Sequence, residues 1–312
     1  MKCLVTGGAG FIGSNLVRAL VARGDEVRVL DDLSTGRASN LEGVDCEFVR
    51  GDLRDAGAVD AAVAGCLRVF HLGALPSVPR SIADPVRSNE VNVLGTLNVL
   101  EASRRRGVGR VVFASSSSIY GDQPVPVKSE DLPPRPLSPY AVSKLAAEKY
   151  CQVFHGVYGL ETVCLRYFNV FGPRQDPGSP YAAVVPIFTK RILDGLPPLV
   201  NGDGCQSRDF TFVDNVVDGN LRAAEARGAE GLVMNVACGG SIPVNTLASE
   251  IAKLLGREDL APVHAPERAG EVRDSRADIG LARRILGYEP SVAFEEGLRR
   301  TVMFMAGGGA GP

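Results

Sequence analysis

The sequence has no CxxC pair, and its seven cysteines (3, 46, 66, 151, 164, 205 and 238) are scattered and odd in number. That pattern argues against a disulfide framework and against a structural zinc site; it predicts reduced, mostly buried thiols in a cytosolic protein. Histidine is scarce, with three in the chain and no pair at ligand spacing, so no metal site is expected. No stretch approaches the ~20 apolar residues of a membrane helix. The N-terminal apolar run turns Gly-rich by Gly7, which argues against a secretory leader. Neither sign of charge dominates: 34 Lys and Arg face 36 Asp and Glu, a formal charge of -2. A general nucleic-acid binder would need a basic excess, so no nucleic-acid partner is expected, although a local basic site for one phosphorylated ligand remains open. Internal repeats and low-complexity segments are also lacking.

What is present is ordinary globular material. At 45% hydrophobic and 22% charged, the 312 residues can bury one large core or two smaller ones. Short β-rich runs (Lys2 to Thr6, Glu26 to Leu30, Cys46 to Arg50, Arg68 to Leu72, Arg110 to Ser115, Thr162 to Tyr167) alternate with helical patterns at about 11–23, 55–64, 85–106 and 139–158. Apolar strands alternating with helices predict a parallel sheet covered on both faces. Beyond Gly172 the chain becomes rich in Pro and Gly, as ligand-contacting loops are. Two later apolar segments, Phe210 to Ala226 and Leu232 to Val236, are placed to return to the first domain.

The segment Thr6-Gly-Gly-Ala-Gly-Phe-Ile-Gly13 follows the first strand and opens the first helix. Glycines at 7, 10 and 13 permit a tight turn, close approach to a pyrophosphate, and helix packing on the sheet; the helix N-terminus offers free N–H groups to phosphates. Taken alone, such glycines can serve a mere strand-to-helix turn. Asp31, 18 residues after Gly13 at the end of the second strand, suits the hydroxyls of an adenosine ribose. A carboxylate there repels a 2′-phosphate and favours NAD over NADP, although the nearby Arg37 keeps NADP open. Asp52 is a candidate for the adenine amino group or, equally, a cap for the helix that follows.

Tyr140-Ala-Val-Ser-Lys144 places a phenol and an ammonium four residues apart, on one helix face. Tyrosine starts near pKa ~10, so it needs a neighbouring cation to act as a base near neutrality. Alone, this spacing would be a surface pair. It gains meaning behind the glycine fingerprint and after Ser115-Ser-Ser-Ser118, a cluster leaving the fifth strand at the sheet edge where ligands bind in open α/β folds. Ser116 is suited to bond a reacting hydroxyl and relay its proton to Tyr140; Ser115 reads equally well as a turn residue.

Together, TGGAGFIG, HLGA (71–74), NVLGT (92–96), SSSSIYG, SPYAVSK and LRYFNVFGPRQ (165–175) resemble the extended short-chain dehydrogenase/reductase family, in its sugar-nucleotide epimerase/dehydratase branch, over essentially the whole chain. The resemblance implies an α/β fold: a Rossmann-type doubly wound parallel sheet (1–172, plus about 208–238 returning) with a smaller mixed α/β C-terminal substrate domain (about 173–207 and 239–312). It implies that Tyr140 is the base, Ser116 assists, and Lys144 holds the nicotinamide ribose and tunes Tyr140. Asn92 would support the active-site helix. The implied NAD contacts are Gly7, Gly10, Phe11, Ile12, Asp31, Asp32, Ser34, Thr35, Gly36, Asp52, Leu53, Leu72, Gly73, Ala74, Ser115, Tyr140, Lys144 and Tyr167. A homodimer through the helices at 85–106 and 139–158 is implied by the same analogy.

Dehydratases of this branch carry Asp and Glu at the positions of Ser117 and Ser118; two serines offer no acid for elimination, so the resemblance is to a UDP-sugar 4-epimerase working through a 4-keto sugar and tightly held NAD. Asn169, Arg208 and Arg268 match diphosphate-binding positions, and arginine suits phosphate oxygens. Ala182 to Phe188, including Ala183 and Val184, resembles the segment lining the uracil pocket. Ser275 falls at the family's size gatekeeper, a tyrosine in enzymes restricted to UDP-glucose and UDP-galactose, and leaves room for a 2-acetamido group. Ser77, Ser118 and Gln175 would contact the sugar. Pro76 replaces a lysine that touches the cofactor in some UDP-galactose epimerases. Three readings compete: a UDP-glucuronate 4-epimerase using Arg80 or Arg174, a 4-keto-sugar reductase, and a non-catalytic NAD-binding regulator.

Overall fold

The computed structural model describes residues 1–178, 182–267 and 273–307. Its centre is a sheet of seven parallel strands: β1 (Lys2–Thr6), β2 (Glu26–Asp31), β3 (Glu47–Arg50), β4 (Arg68–His71), β5 (Arg110–Ser116), β6 (Glu161–Tyr167) and β7 (Val233–Val236), in the spatial order β7-β6-β5-β4-β1-β2-β3. The strands read as continuous apolar runs because both sheet faces are buried, yet each still alternates. Cys3 and Val5 enter one core while Leu4 enters the other, and Val112 and Val111 divide in the same way. The first core is closed by Leu16, Val17 and Leu20 of α1 (Phe11–Ala22) and by Val216 and Ala223 of the later helix Val213–Glu225. The second is closed by Val59 and Val63 of α2 (Ala56–Val63), and by helices from the 85–158 region.

That region is more broken than the sequence predicts. A short helix, α3 (Val78–Ala83), precedes α4 (Pro85–Asn89). Ser77, at a φ of 105°, caps α3 by accepting from Arg80 N, and Asp84 caps α4 by accepting from Arg87 N. The two prolines at 79 and 85 obscure these starts in the sequence, yet they sit in the first turn, where a missing N–H costs nothing. The expected single helix over 85–106 passes through one π turn at Glu90–Leu94 before continuing as α5 (Gly95–Arg105). α6 (Pro139–Tyr158) matches its expected range; Ser138 caps it and Gly159, in the left-handed region at a φ of 70°, ends it.

The chain crosses the sheet edge after β6. The helix Val213–Glu225 packs against β5 and β6, and β7 pairs with β6, Asn235 opposite Arg166. A third core, outside the sheet, gathers Phe171, Phe188, Ile192, Phe210, Phe212, Leu247, Ile251 and Leu298. Phe171 is its hub, meeting Phe210, Phe212 and Phe294 edge-on with ring centres 6.2, 5.7 and 5.8 Å away. Among the described residues no helix is long and apolar enough to cross a membrane.

Candidate active site

Strand order reverses between β1 and β4, and a cleft of about 680 Å³ opens there at the carboxyl edge. The glycine-rich turn forms one wall. Gly7 takes a φ of 69°, and a Cβ on it would lie 2.8 Å from the backbone of Gly73. A Cβ on Gly13 would overlap the Gly7 carbonyl oxygen and sit 2.8 Å from Gly8 Cα. Gly10 N-caps α1 without a side-chain bond, so the first N–H groups of the helix remain available to an anion. Beneath the turn, Gly73 N donates to Thr6 Oγ1 at 3.1 Å, and Thr6 Oγ1 lies 2.7 Å from His71 Nδ1. His71 Nε2 lies 2.9 Å from Thr96 Oγ1, whose hydroxyl is committed as a donor to Asn92 O. Nε2 therefore carries the proton and Thr6 donates to Nδ1. Burial drops the His71 pKa to about 3, so the ring stays neutral and structural.

Asp31 is buried, its oxygens accepting from Ala9 N at 3.0 Å and Leu33 N at 2.8 Å, with lone pairs left for ribose hydroxyls. Burial raises its pKa, and the two backbone bonds oppose that rise. Asp32 folds the next loop by accepting from Ser34 N and Ser34 Oγ. Asp52 lines the cleft, but its carboxylate is gripped by Arg54, whose hydrogen bonds lower its pKa. It does not cap α2. Asp55 does, accepting from Gly57 N and Ala58 N, because it stands immediately before the helix. Gly7, Gly10, Phe11, Ile12, Ser34, Thr35, Gly36, Leu53, Leu72, Gly73, Ala74, Ser115 and Tyr167 line the same cleft.

At the far end stand Tyr140 and Lys144, both lining the cleft. The Lys144 ammonium donates to Ala114 O at 2.8 Å and sits 4.9 Å over the Phe113 ring; burial lowers its pKa to about 8. The chain's own groups do not produce the low phenol pKa that the YxxxK spacing suggests. Burial raises the Tyr140 pKa, opposed by a hydrogen bond with Ser116. The reason is that ammonium and phenolate are both disfavoured in so dry a pocket. Ser116 Oγ lies 2.9 Å from Ser118 Oγ, which gives the proposed relay a third hydroxyl. Ser115 points away: its hydroxyl donates to Glu148 at 2.8 Å, in a buried fork with Arg166 Nε and Nη2 at 3.0 and 2.7 Å. Asn92, at the π turn, accepts from Leu75 N at 2.7 Å and donates to Leu75 O at 3.2 Å and Ser143 Oγ at 3.0 Å. Ser143 in turn bonds Tyr140 O, so the cleft loop and the catalytic helix share one clamp.

Of the expected sugar-nucleotide contacts, Ser77, Tyr140, Gln175 and Ala183 line the cleft. Gln175 Nε2 donates to Val170 O at 3.2 Å, while its buried Oε1 has no protein partner among the described residues. Asn169, at a φ of 35°, donates to Asp209 O at 3.3 Å. Val184 opens the helix Val184–Leu193. Arg208 and Ser275 are brought opposite each other on neighbouring parallel strands, away from the lining of this cleft. Arg268 lies outside the described residues. Arg80 lines the cleft, whereas Arg174 turns to Asn15 Oδ1 at 2.6 Å and to the Phe304 ring. Asp209 escaped the sequence reading. Its fully buried carboxylate accepts from Cys238 N, Gly239 N and Ala277 N, tying three distant segments around Arg208 and Ser275. Its position immediately before the apolar segment that starts at Phe210 was the available signal. Among the described residues no group of three or more His, Cys, Asp or Glu could hold a metal ion.

Residues 3–237 match the model of the NAD dependent epimerase/dehydratase family. The chain is 44% identical to a UDP-glucose 4-epimerase of Mycolicibacterium smegmatis, covering 97% of this chain and 98% of that one. It superposes on a UDP-glucose 4-epimerase with UDP-glucose from Thermotoga maritima with a TM-score of 0.94, at 39% identity and 99% coverage of both chains. It superposes on a UDP-N-acetylglucosamine 4-epimerase from Methanobrevibacter ruminantium, in complex with UDP-N-acetylmuramic acid, with a TM-score of 0.93, at 41% identity and 98% coverage of both. Similar chains also include 4,6-dehydratases of dTDP-glucose, and several relatives are solved with NAD bound. The glycine cradle, the free helix terminus and Asp31 fit that dinucleotide, and NAD is the cofactor. The chain belongs to the NAD-dependent epimerase/dehydratase family.

Proposed function

We propose that this enzyme interconverts C4 epimers of UDP-sugars, UDP-glucose with UDP-galactose and UDP-N-acetylglucosamine with UDP-N-acetylgalactosamine. The observation that carries the reading is the Ser116–Ser118–Tyr140 hydroxyl set, with serines at 117 and 118 where the dehydratases of this branch carry Asp and Glu. NAD, when bound, takes the hydride from C4 and returns it. Tyr140 Oη receives the proton of the 4-hydroxyl, with Ser116 holding that hydroxyl in line. Lys144 on Ala114 O fixes the ribose end of the site, and the positive nicotinamide ring of bound NAD would add to its ammonium the charge that the buried phenol needs to ionise. Arg208, Asn169 and Arg268 would hold the diphosphate while the 4-keto sugar turns about it to present its opposite face, and Tyr140 Oη would return the proton to the C4 oxygen.

A second reading, a UDP-glucuronate 4-epimerase, is favoured by Arg80 in the cleft lining, which suits a C6 carboxylate. The apolar side chains exposed on α3, α4 and α6 (Ile82, Val86, Val142, Val153, Val157) support a homodimer, and seven free cysteines support the cytoplasm. Incubation with a panel of UDP-sugars, with chromatographic separation of the epimers, tests the reaction. Epimer formation without net NADH is expected; sustained NADH release or loss of water from the sugar would overturn it.

A further inference from the structure

Asp176 and Arg37 come from distant parts of the chain and meet across the mouth of the cofactor cleft. Arg37 Nη2 lies 2.7 Å from Asp176 Oδ2, and both residues line the cleft. Each is anchored from behind. Arg37 N donates to Ala9 O in the glycine-rich turn, and its neighbour Gly36 packs so closely that a Cβ there would lie 3.0 Å from Asp31 Oδ1. Asp176 Oδ1 accepts from Gly178 N at 2.9 Å, and the preceding Gln175 is tied to Val170 O.

Arg37 therefore leaves the backbone next to Gly36, the residue packed against the Asp31 carboxylate. An arginine there is the group that a 2′-phosphate would recruit, since its planar fork matches phosphate oxygens. Here that fork is directed instead to Asp176. The pair is partly exposed, Arg37 at 60% and Asp176 at 32%, so its own strength is modest. Its effect on selectivity is larger than its strength. Asp31, Asp32 and Asp176 share the cleft lining with Arg37. A 2′-phosphate bearing close to two negative charges would meet an arginine already engaged.

We propose that Asp176 is a determinant of dinucleotide choice: by holding Arg37 across the cleft, it makes the enzyme reject NADP. The inference rests on the cofactor and not on which sugar is turned over. The test is the nucleotide carried by purified protein after long incubation with equimolar NAD and NADP, released by denaturation and quantified by chromatography. Replacing Asp176 with Asn or with Ala should raise the bound NADP-to-NAD ratio about tenfold. Adding Arg37→Ala should return that ratio to the parental value, because the gain depends on the freed guanidinium. An unchanged ratio in both Asp176 variants overturns the proposal. So does a gain that persists in the double variants, which would mean that Arg37 is not the group withheld.

Discussion

The Lys144 ammonium donates to the Ala114 carbonyl oxygen at 2.8 Å, which fixes α6 to the strand that delivers Ser115 and Ser116. That bond holds a charge where a charge is costly. Burial lowers the Lys144 pKa from 10.5 to about 8, a gap of about 2.5 units or roughly 3 kcal/mol. Below pH 8 both the folded and the unfolded chain carry the proton, and the folded state bears the whole cost. Between pH 8 and 10.5 the folded lysine is neutral while the unfolded one is still charged, so stability rises with pH. Lys144→Met should thus abolish turnover yet stabilise the NAD-free protein at pH 7 by about 1–2 kcal/mol, allowing for the orphaned Ala114 carbonyl. Denaturant melts at pH 7 and pH 10 should show the gain shrinking at the higher pH.

Asn92 joins Leu75 to Ser143 through three hydrogen bonds of 2.7, 3.2 and 3.0 Å. Asn92→Leu removes donor and acceptor together and leaves Leu75 N and O unpaired in a buried site. A loss of about 2–4 kcal/mol in unfolding free energy is expected. Residual turnover should fall in kcat more than in KM, since the clamp positions Tyr140 without touching the sugar.

Glycine positions separate by what surrounds them. Gly13→Ala should lose bound NAD and several kcal/mol of stability, because its methyl would overlap Gly7 O where the helix meets the turn. Gly156→Ala, within α6 and with nothing near its would-be Cβ, should stabilise by about 0.5–1 kcal/mol. Thermal melts with cofactor content measured alongside check both.

The parallel sheet and the dinucleotide turn were legible because each follows from local rules: apolar runs of strand length, glycines at fixed offsets, and a carboxylate at a strand end. Tyr140 and Lys144 were legible because a helix repeats every 3.6 residues. The π turn at Asn92 was not, since no helix-breaking residue marks it and the clamp to Leu75 and Ser143 that accompanies it is tertiary. Nor was the Arg37–Asp176 pair, whose members meet only because the chain folds back over the cleft. The rise that burial imposes on the Tyr140 phenol was not legible either: spacing reports a neighbouring cation but not the dryness around it.

Ser275 lies opposite Arg208 in the strand register, so it is held by the strand that pairs with the one carrying a proposed diphosphate anchor. Ser275→Tyr should reduce kcat/KM for UDP-N-acetylglucosamine by about tenfold or more through steric exclusion, and leave UDP-glucose within a factor of about three. Parallel assays on the two sugars check it. Equal losses on both would remove the gatekeeper role.

The phenol of Tyr140 is the group on which the proposed chemistry turns, so its removal is the most direct measurement. In Tyr140→Phe, assayed for UDP-galactose formation with bound NAD quantified in the same sample, turnover should drop by about a thousandfold while the cofactor is retained. Turnover within a few-fold of the parent, at equal NAD content, would contradict the account.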